Sequence, residues 1–271
     1  FPILIVYFST SMGFIDSFEL AIKNPQEYEK IIQSSHHVIM SFGGMFLLML
    51  FLKFIFDENK DTHWVKYIES FATKLSKVGD IKALFIMFLM LVITYVAPNE
   101  VVMGEQLVTV NKLEILVPMI IGVIAFYLLE LLKGVIELKT DSNSDLKVTE
   151  LSGGFISFMY LEVIDMSFSL DGVLGAFAIT QNVVIIMLGL GIGAMAVRSL
   201  TIFMVEREVV SKYIYLEHGA MWSIGLLALS MIVQIFYHLP PMLITTFAIV
   251  PIGLAFIHSI HKNRKFLIDP K

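Results

Sequence analysis

Residues 117–129, Val117-Pro-Met-Ile-Ile-Gly-Val-Ile-Ala-Phe-Tyr-Leu-Leu129, carry no charge and no alternation of polar with apolar positions. A membrane β-strand needs about ten residues that switch faces one by one, so this run reads as helix. Lipid demands a helix as well, because each backbone amide then finds its partner within its own segment. With its flanks the run forms a candidate span over residues 113–136, longer than the roughly 20 apolar residues that cross a bilayer core.

Seven further runs of this kind occupy residues 1–21, 38–56, 83–97, 153–179, 183–205, 216–237 and 242–260. The composition agrees: 57% of the 271 residues are hydrophobic, 16% are charged and mean hydropathy is +0.80. A soluble domain is about a quarter charged, so a water-soluble globule is excluded. Disordered and collagen-like chains are excluded by 17 Gly and 8 Pro among so many apolar residues. A net charge of −5 gives nucleic acid no basic footprint. With no cysteine there is no disulfide, thiolate metal site or cysteine nucleophile. The expected fold is therefore all-α, a polytopic transmembrane bundle with eight visible spans. It divides into first-half helices (1–137), a polar loop (138–150) and second-half helices (151–271).

Charge sets the orientation. Lys60, Lys66, Lys74, Lys77, Lys82, Lys139, Lys147, Arg207, Lys212, Lys262, Arg264, Lys265 and Lys271 fall on one side; Lys23, Lys30 and Lys112 fall on the other. Positive charge stays cytoplasmic, which places the 57–82 connection and the C-terminus in the cytoplasm, with the chain in a bacterial cytoplasmic membrane. Within 57–82, Trp64, Ile68, Phe71 and Leu75 recur at helical spacing, with Lys66, Glu69, Lys74 and Lys77 towards the other side. That pattern suits either a helix lying in the interface or a helix packed on the bundle.

Chemistry concentrates in the fifth span. Glu162, Asp165 and Asp171 stand within ten residues of a segment otherwise suited to lipid, where each acid costs at least about 2.5 kcal/mol. At about 100° per residue Glu162, Asp165 and Ser169 share a face, and Asp171 lies about 180° from Glu162. Either Asp171 faces another neighbour or the helix breaks near Gly172 and Gly175, as ion-binding helices of transporters do. Carboxylates and hydroxyls are hard oxygen ligands, suited to magnesium, calcium or manganese(II). The alternative is structural: the acids bind helix to helix, or pair with Arg198.

The stretch Leu161-Glu-Val-Ile-Asp-Met-Ser-Phe-Ser-Leu-Asp-Gly-Val-Leu-Gly-Ala-Phe-Ala resembles the second acidic motif of the TerC-like membrane proteins. Gly189-Leu-Gly-Ile-Gly-Ala-Met-Ala-Val-Arg-Ser-Leu-Thr, Tyr215-Leu-Glu-His-Gly-Ala-Met-Trp-Ser-Ile-Gly and Ser41-Phe-Gly-Gly-Met-Phe-Leu-Leu-Met are similar to a subfamily catalogued as a domain of unknown function. The resemblance implies two related halves within the LysE-type exporter superfamily, manganese efflux and tellurite resistance. It makes Glu162, Asp165 and Asp171 the second-half acids. That family's first motif, an acid followed by Ser-Phe-Asp-Asn, is absent here. The chain opens on Phe1, so a preceding ninth span is expected to carry it.

Other polar residues have weaker readings. Arg198 either competes with a cation for Glu162 and Asp165 or snorkels to headgroups. Glu217 and His218 open a span at the cytoplasmic face, as an ion entry point or proton relay or as an ordinary interfacial pair. Asp16 and Glu19 either flank an exit path or end a helix. Glu130, Lys133 and Glu137 are spaced for ion pairing along one helix, and adjacent His36 and His37 point apart. Gly189, Gly191 and Gly193 permit close helix contact. No protease, lipase or nucleotide-loop signature occurs, so no enzyme is expected. The functional expectation is a secondary transporter exporting a divalent cation, manganese(II) first and otherwise calcium or magnesium, with no required cofactor. Its partners are the lipid bilayer, the metal ion and a homo-oligomer. The alternative is a non-transporting scaffold or sensor in metal or tellurite stress.

Overall fold

Helix His36–Ile55 (α3) is apolar on nearly all sides, and its neighbours cover it accordingly: Met40, Met45, Phe46 and Leu47 have no exposed surface. The computed structural model describes residues 13–57, 60, 62–76, 81–97, 100–103, 106–109, 111–142, 158, 183–207, 213–237 and 239–268. Among these, α1 is Phe14–Lys23, α2 Pro25–Ser34, α4 Lys66–Ser76, α5 Ile81–Val96, α6 Lys112–Ser142, α7 Val183–Glu206, α8 Leu216–Gln234 and α9 Pro241–Ile268. The strands among the described residues form a short antiparallel ribbon between α5 and α6, β1 (Glu100–Met103) paired with β2 (Gln106–Thr109), Glu100 facing Thr109.

Among the described residues five helices are long and apolar enough to cross a membrane: His36–Ile55, Lys112–Leu131, Val184–Glu206, Leu216–Gln234 and Met242–Lys262. The protein is an all-helical integral membrane bundle. Expected spans 38–56, 113–136, 183–205, 216–237 and 242–260 all fall on these helices. The expected span at 83–97 is a shorter apolar helix, followed by β1. Span 153–179, except Phe158, and residues 1–12 of the first span lie outside the described residues. The remainder of that first span is α1, closed by Asn24 and Pro25. Asn24 Oδ1 accepts the Glu27 N–H at 3.4 Å, and its amide donates to the Glu27 carboxylate at 2.7 Å. This reciprocal cap starts α2, with proline at its first position. The segment expected to be loop from residue 138 is helical as far as Ser142.

α3 lies between α6 and α8, and α9 packs on the far side of α8. In lipid, helices associate through close packing rather than hydrophobic expulsion, and small residues allow it here. A Cβ on Gly122 of α6 would stand 2.5 Å from the Phe42 carbonyl oxygen of α3. On the other face, a Cβ on Gly44 would come 3.2 Å from Ile232 of α8. Phe46 and Phe126 meet edge-on at 6.3 Å, as do Phe51 and Trp222 at 5.3 Å.

End-to-end contacts fix direction. His37 meets Glu114 at one end of α3 and Lys53 meets Glu130, 2.5 Å apart, at the other, so α3 and α6 run parallel. Phe54 meets His218, so α8 runs antiparallel to α3. Glu130 thus pairs across the bundle with Lys53; the side chains of Lys133 and Glu137, expected to pair with it along one helix, lie outside the described residues. α7 differs from the central helices: apart from Ile186, its described side chains are exposed or half-exposed. Gly189, Gly191 and Gly193 have open space where a Cβ would stand, so no described helix approaches that glycine row.

Candidate functional site

The most constrained polar group among the described residues is Glu69, on α4 at the lysine-rich end of the bundle. It lies in the first turn, and its carboxylate reaches back past the helix start, as an acid near a helix N-terminus can. Oε1 accepts the Val65 N–H at 3.2 Å and Oε2 accepts the Trp64 N–H at 3.3 Å. Trp222 of α8 donates its indole N–H to Oε1 at 3.1 Å. Glu69 has no exposed surface, and these three donors offset the cost of removing it from water.

Two basic side chains face Oε2, Lys60 Nζ at 3.8 Å and His218 Nε2 at 3.6 Å. His218 Nε2 lies 2.8 Å from the Thr62 carbonyl. A carbonyl only accepts, so this nitrogen carries the proton. His218 Nδ1 is buried without a hydrogen-bond partner, as is Lys60 Nζ, which stands 3.5 Å over the Phe54 ring. Burial pushes the Lys60 amine below its ordinary range, against the weaker upward pull of the Glu69, Asp57 and Glu217 carboxylates. The cluster thus holds a buried anion, a buried amine disfavoured as a cation and a histidine with one free ring nitrogen. Such a set can store or pass a proton.

The opposite end of α3 carries a second histidine–carboxylate pair. His37 is buried, with Nε2 3.2 Å from Glu114 Oε2, and its Nδ1 has no hydrogen-bond partner.

Of the residues singled out from sequence, His218 is in this cluster, whereas Glu217 beside it is exposed. They are not a facing pair, because consecutive helical residues diverge by about 100°. Arg198, Asp16 and Glu19 are exposed, and Glu19 pairs with Lys23 one turn on. Glu162, Asp165, Ser169 and Asp171 lie outside the described residues. Among the described residues no three His, Asp or Glu side chains are grouped to hold a metal. Glu69 was expected on the polar side of its helix and is instead fully buried against the bundle. The available signal was its place in a helix's first turn, downstream of two backbone amides in need of an acceptor.

Comparison with known proteins places the chain. The family described as "Protein of unknown function (DUF475)" matches residues 1–266. The chain belongs to the DUF475 family. A curated relative, the uncharacterised membrane protein YceF of Bacillus subtilis (strain 168), is 31% identical over 111 residues, 39% of this chain and 41% of YceF. The match therefore spans about two fifths of that relative's length. No solved structure matches the DUF475 chain. These findings overturn the TerC-like and LysE-type resemblance, since none of them points to either group. The likeness rested on apolar helices bearing glycine, serine and isolated acids, a composition that close helix packing and membrane polar sites favour in unrelated spans.

Proposed function

We propose that this DUF475 protein is a secondary transporter that moves a divalent metal cation out of the cytoplasm, with its lysine-rich end inside. The observation that carries the reading is the placement of Glu162, Asp165 and Asp171 in ten residues of an otherwise apolar segment. Ionisable groups at that density in a span mark an ion or proton path. Without the TerC-like resemblance, the donor chemistry alone defines the cargo: carboxylates and the Ser169 hydroxyl suit manganese(II), magnesium or calcium. Glu162 and Asp165, whose spacing matches one face of a regular helix, supply the anionic ligands; Ser169 and Asp171 complete the shell. Two close carboxylates resist joint ionisation once the metal leaves, so one takes up a proton and transport is coupled to proton antiport. The histidine–carboxylate pairs at the two ends of α3, His218–Glu69 and His37–Glu114, support the proton arm of this scheme.

Flux in proteoliposomes loaded with manganese(II), magnesium or calcium tests it. Wild-type protein is expected to move at least one of these ions at a rate set by the pH gradient, and Asp165→Asn and Glu162→Gln to abolish it. Undiminished, pH-independent flux in both variants, or none in the wild type, overturns the reading.

A further inference from the structure

The geometry points to α4 as a helix seated at the surface of the bilayer, one flank in the acyl region and the other among anionic headgroups. This inference stands apart from the transport reading. At about 100° per residue, the side chains of α4 divide into three sectors. Ala72 and Glu69 face the bundle and are buried. About a third of a turn to one side lie Ile68, Phe71 and Leu75. Ile68 is 51% and Phe71 68% exposed, while Leu75 packs at the edge of the core. About a third of a turn to the other side lie Lys66 and Ser70. Tyr67, 93% exposed, and Lys74 occupy the pole opposite the bundle.

A helix lying on a membrane beside a bundle needs this arrangement: one sector for protein, one for lipid, one for water, and an amphipathic aromatic at the boundary. Three observations choose lipid over a protein partner. First, α4 lies where spanning helices end: Glu69 bonds Trp222 near the start of α8, and Trp64 bonds His258 of α9 at 3.0 Å. Second, α5 packs against α4 and opens with exposed Leu84, Phe85 and Phe88, so the apolar helix beside α4 also turns large apolar side chains outwards. Third, the charged residues on the exposed sectors of α4, Lys66 and Lys74, are both cationic and complement anionic headgroups.

The absence of cysteine makes the test direct. Single cysteines replace Lys66, Ile68, Phe71 and Lys74, all exposed, and carry a nitroxide in vesicles of phosphatidylglycerol and phosphatidylethanolamine. The expected result is that oxygen relaxes the labels at 68 and 71 more than an aqueous nickel chelate does, with the order reversed at 66. K66Q/K74Q is expected to lower the phosphatidylglycerol retained by the purified protein at least twofold. Labels at 68 and 71 dominated by the nickel chelate, or shielded from both reagents as under a protein partner or second copy, overturn the inference. So does unchanged lipid retention. None of these results depends on metal flux.

Discussion

Trp222 and Glu69, 153 residues apart in the chain, are joined by a hydrogen bond of 3.1 Å from the indole N–H to the carboxylate. The bond ties the surface helix α4 to the membrane helix α8, and its acceptor also holds the two backbone amides that precede α4. One side chain thus caps a helix and docks it.

Glu69→Ala is expected to destabilise the protein by about 3–5 kcal/mol, the cost of stranding the buried partners of a removed charge. Glu69→Gln keeps the shape and one good acceptor, and should cost about 1–3 kcal/mol. Trp222→Phe, which leaves the carboxylate its other donors, should cost less than either. Denaturant unfolding in detergent gives the order, and limited proteolysis at residues 57–82 should accelerate in the same order.

Alkaline pH should act through two groups with opposite signs. Lys60 loses its proton in the folded protein below the ordinary lysine value of 10.5. Between that lowered value and 10.5 the unfolded chain binds more protons, so stability rises with pH. Tyr28, buried on α2, is pushed up to about 12 from 10.0 by burial. Across pH 10 to 12 the folded chain holds the extra proton, and stability falls. Stability against pH is expected to lose its rising limb in Lys60→Gln and its falling limb in Tyr28→Phe. Ultraviolet titration should show one tyrosine fewer ionising late in the second variant.

Gly122 and Gly191 should respond differently to alanine. A methyl at Gly122 meets the Phe42 carbonyl, which cannot yield without moving α3 from α6. Overpacking of this kind costs about 1–3 kcal/mol. At Gly191 the added Cβ finds open space, and the change should stay within about 0.5 kcal/mol. Thermal unfolding of the two variants in the same detergent makes the comparison.

Lys53 and Glu130 form a half-exposed ion pair between α3 and α6. A double-mutant cycle with Lys53→Met and Glu130→Gln is expected to give a coupling of about 0.2–1 kcal/mol. The exchanged pair Lys53→Glu with Glu130→Lys should recover most of the loss seen in either single reversal. A coupling of zero would mean the two helices are aligned by packing alone.

What the sequence disclosed follows the range of the forces involved. Helices such as Val183–Glu206 and Leu216–Gln234 were legible because hydropathy and length are local properties, and the lipid leaves helix as the only local solution. The lysine asymmetry likewise grouped Lys60, Lys66 and Lys262 at one end before any contact was known. Glu69 was misplaced because its burial depends on Trp222 and Lys60, and periodicity reports only which residues are apolar. Lys53–Glu130 was missed for a similar reason: its partners are 77 residues apart, while a helical spacing rule sees only neighbours. The glycine row of α7 was read as a contact surface, and no described helix meets it, whereas backbone approaches among the described residues occur at Gly122 and Gly219, single glycines outside that row. His218 was correctly singled out, but its orientation towards Glu69 is a property of three packed segments.

The parallel course of α3 and α6 has a consequence for the membrane itself. Two neighbouring helices that run the same way require an odd number of return crossings between them, and α5 is the apolar helix in that interval. Its 16 residues reach about 24 Å at 1.5 Å per residue, against a hydrocarbon thickness of about 30 Å. If α5 makes that crossing, its length calls for a bilayer pinched by several ångströms, or for headgroups drawn down around Lys112, which bonds the Tyr95 carbonyl at the far end. Lipids of short chain are then expected to gather beside α5.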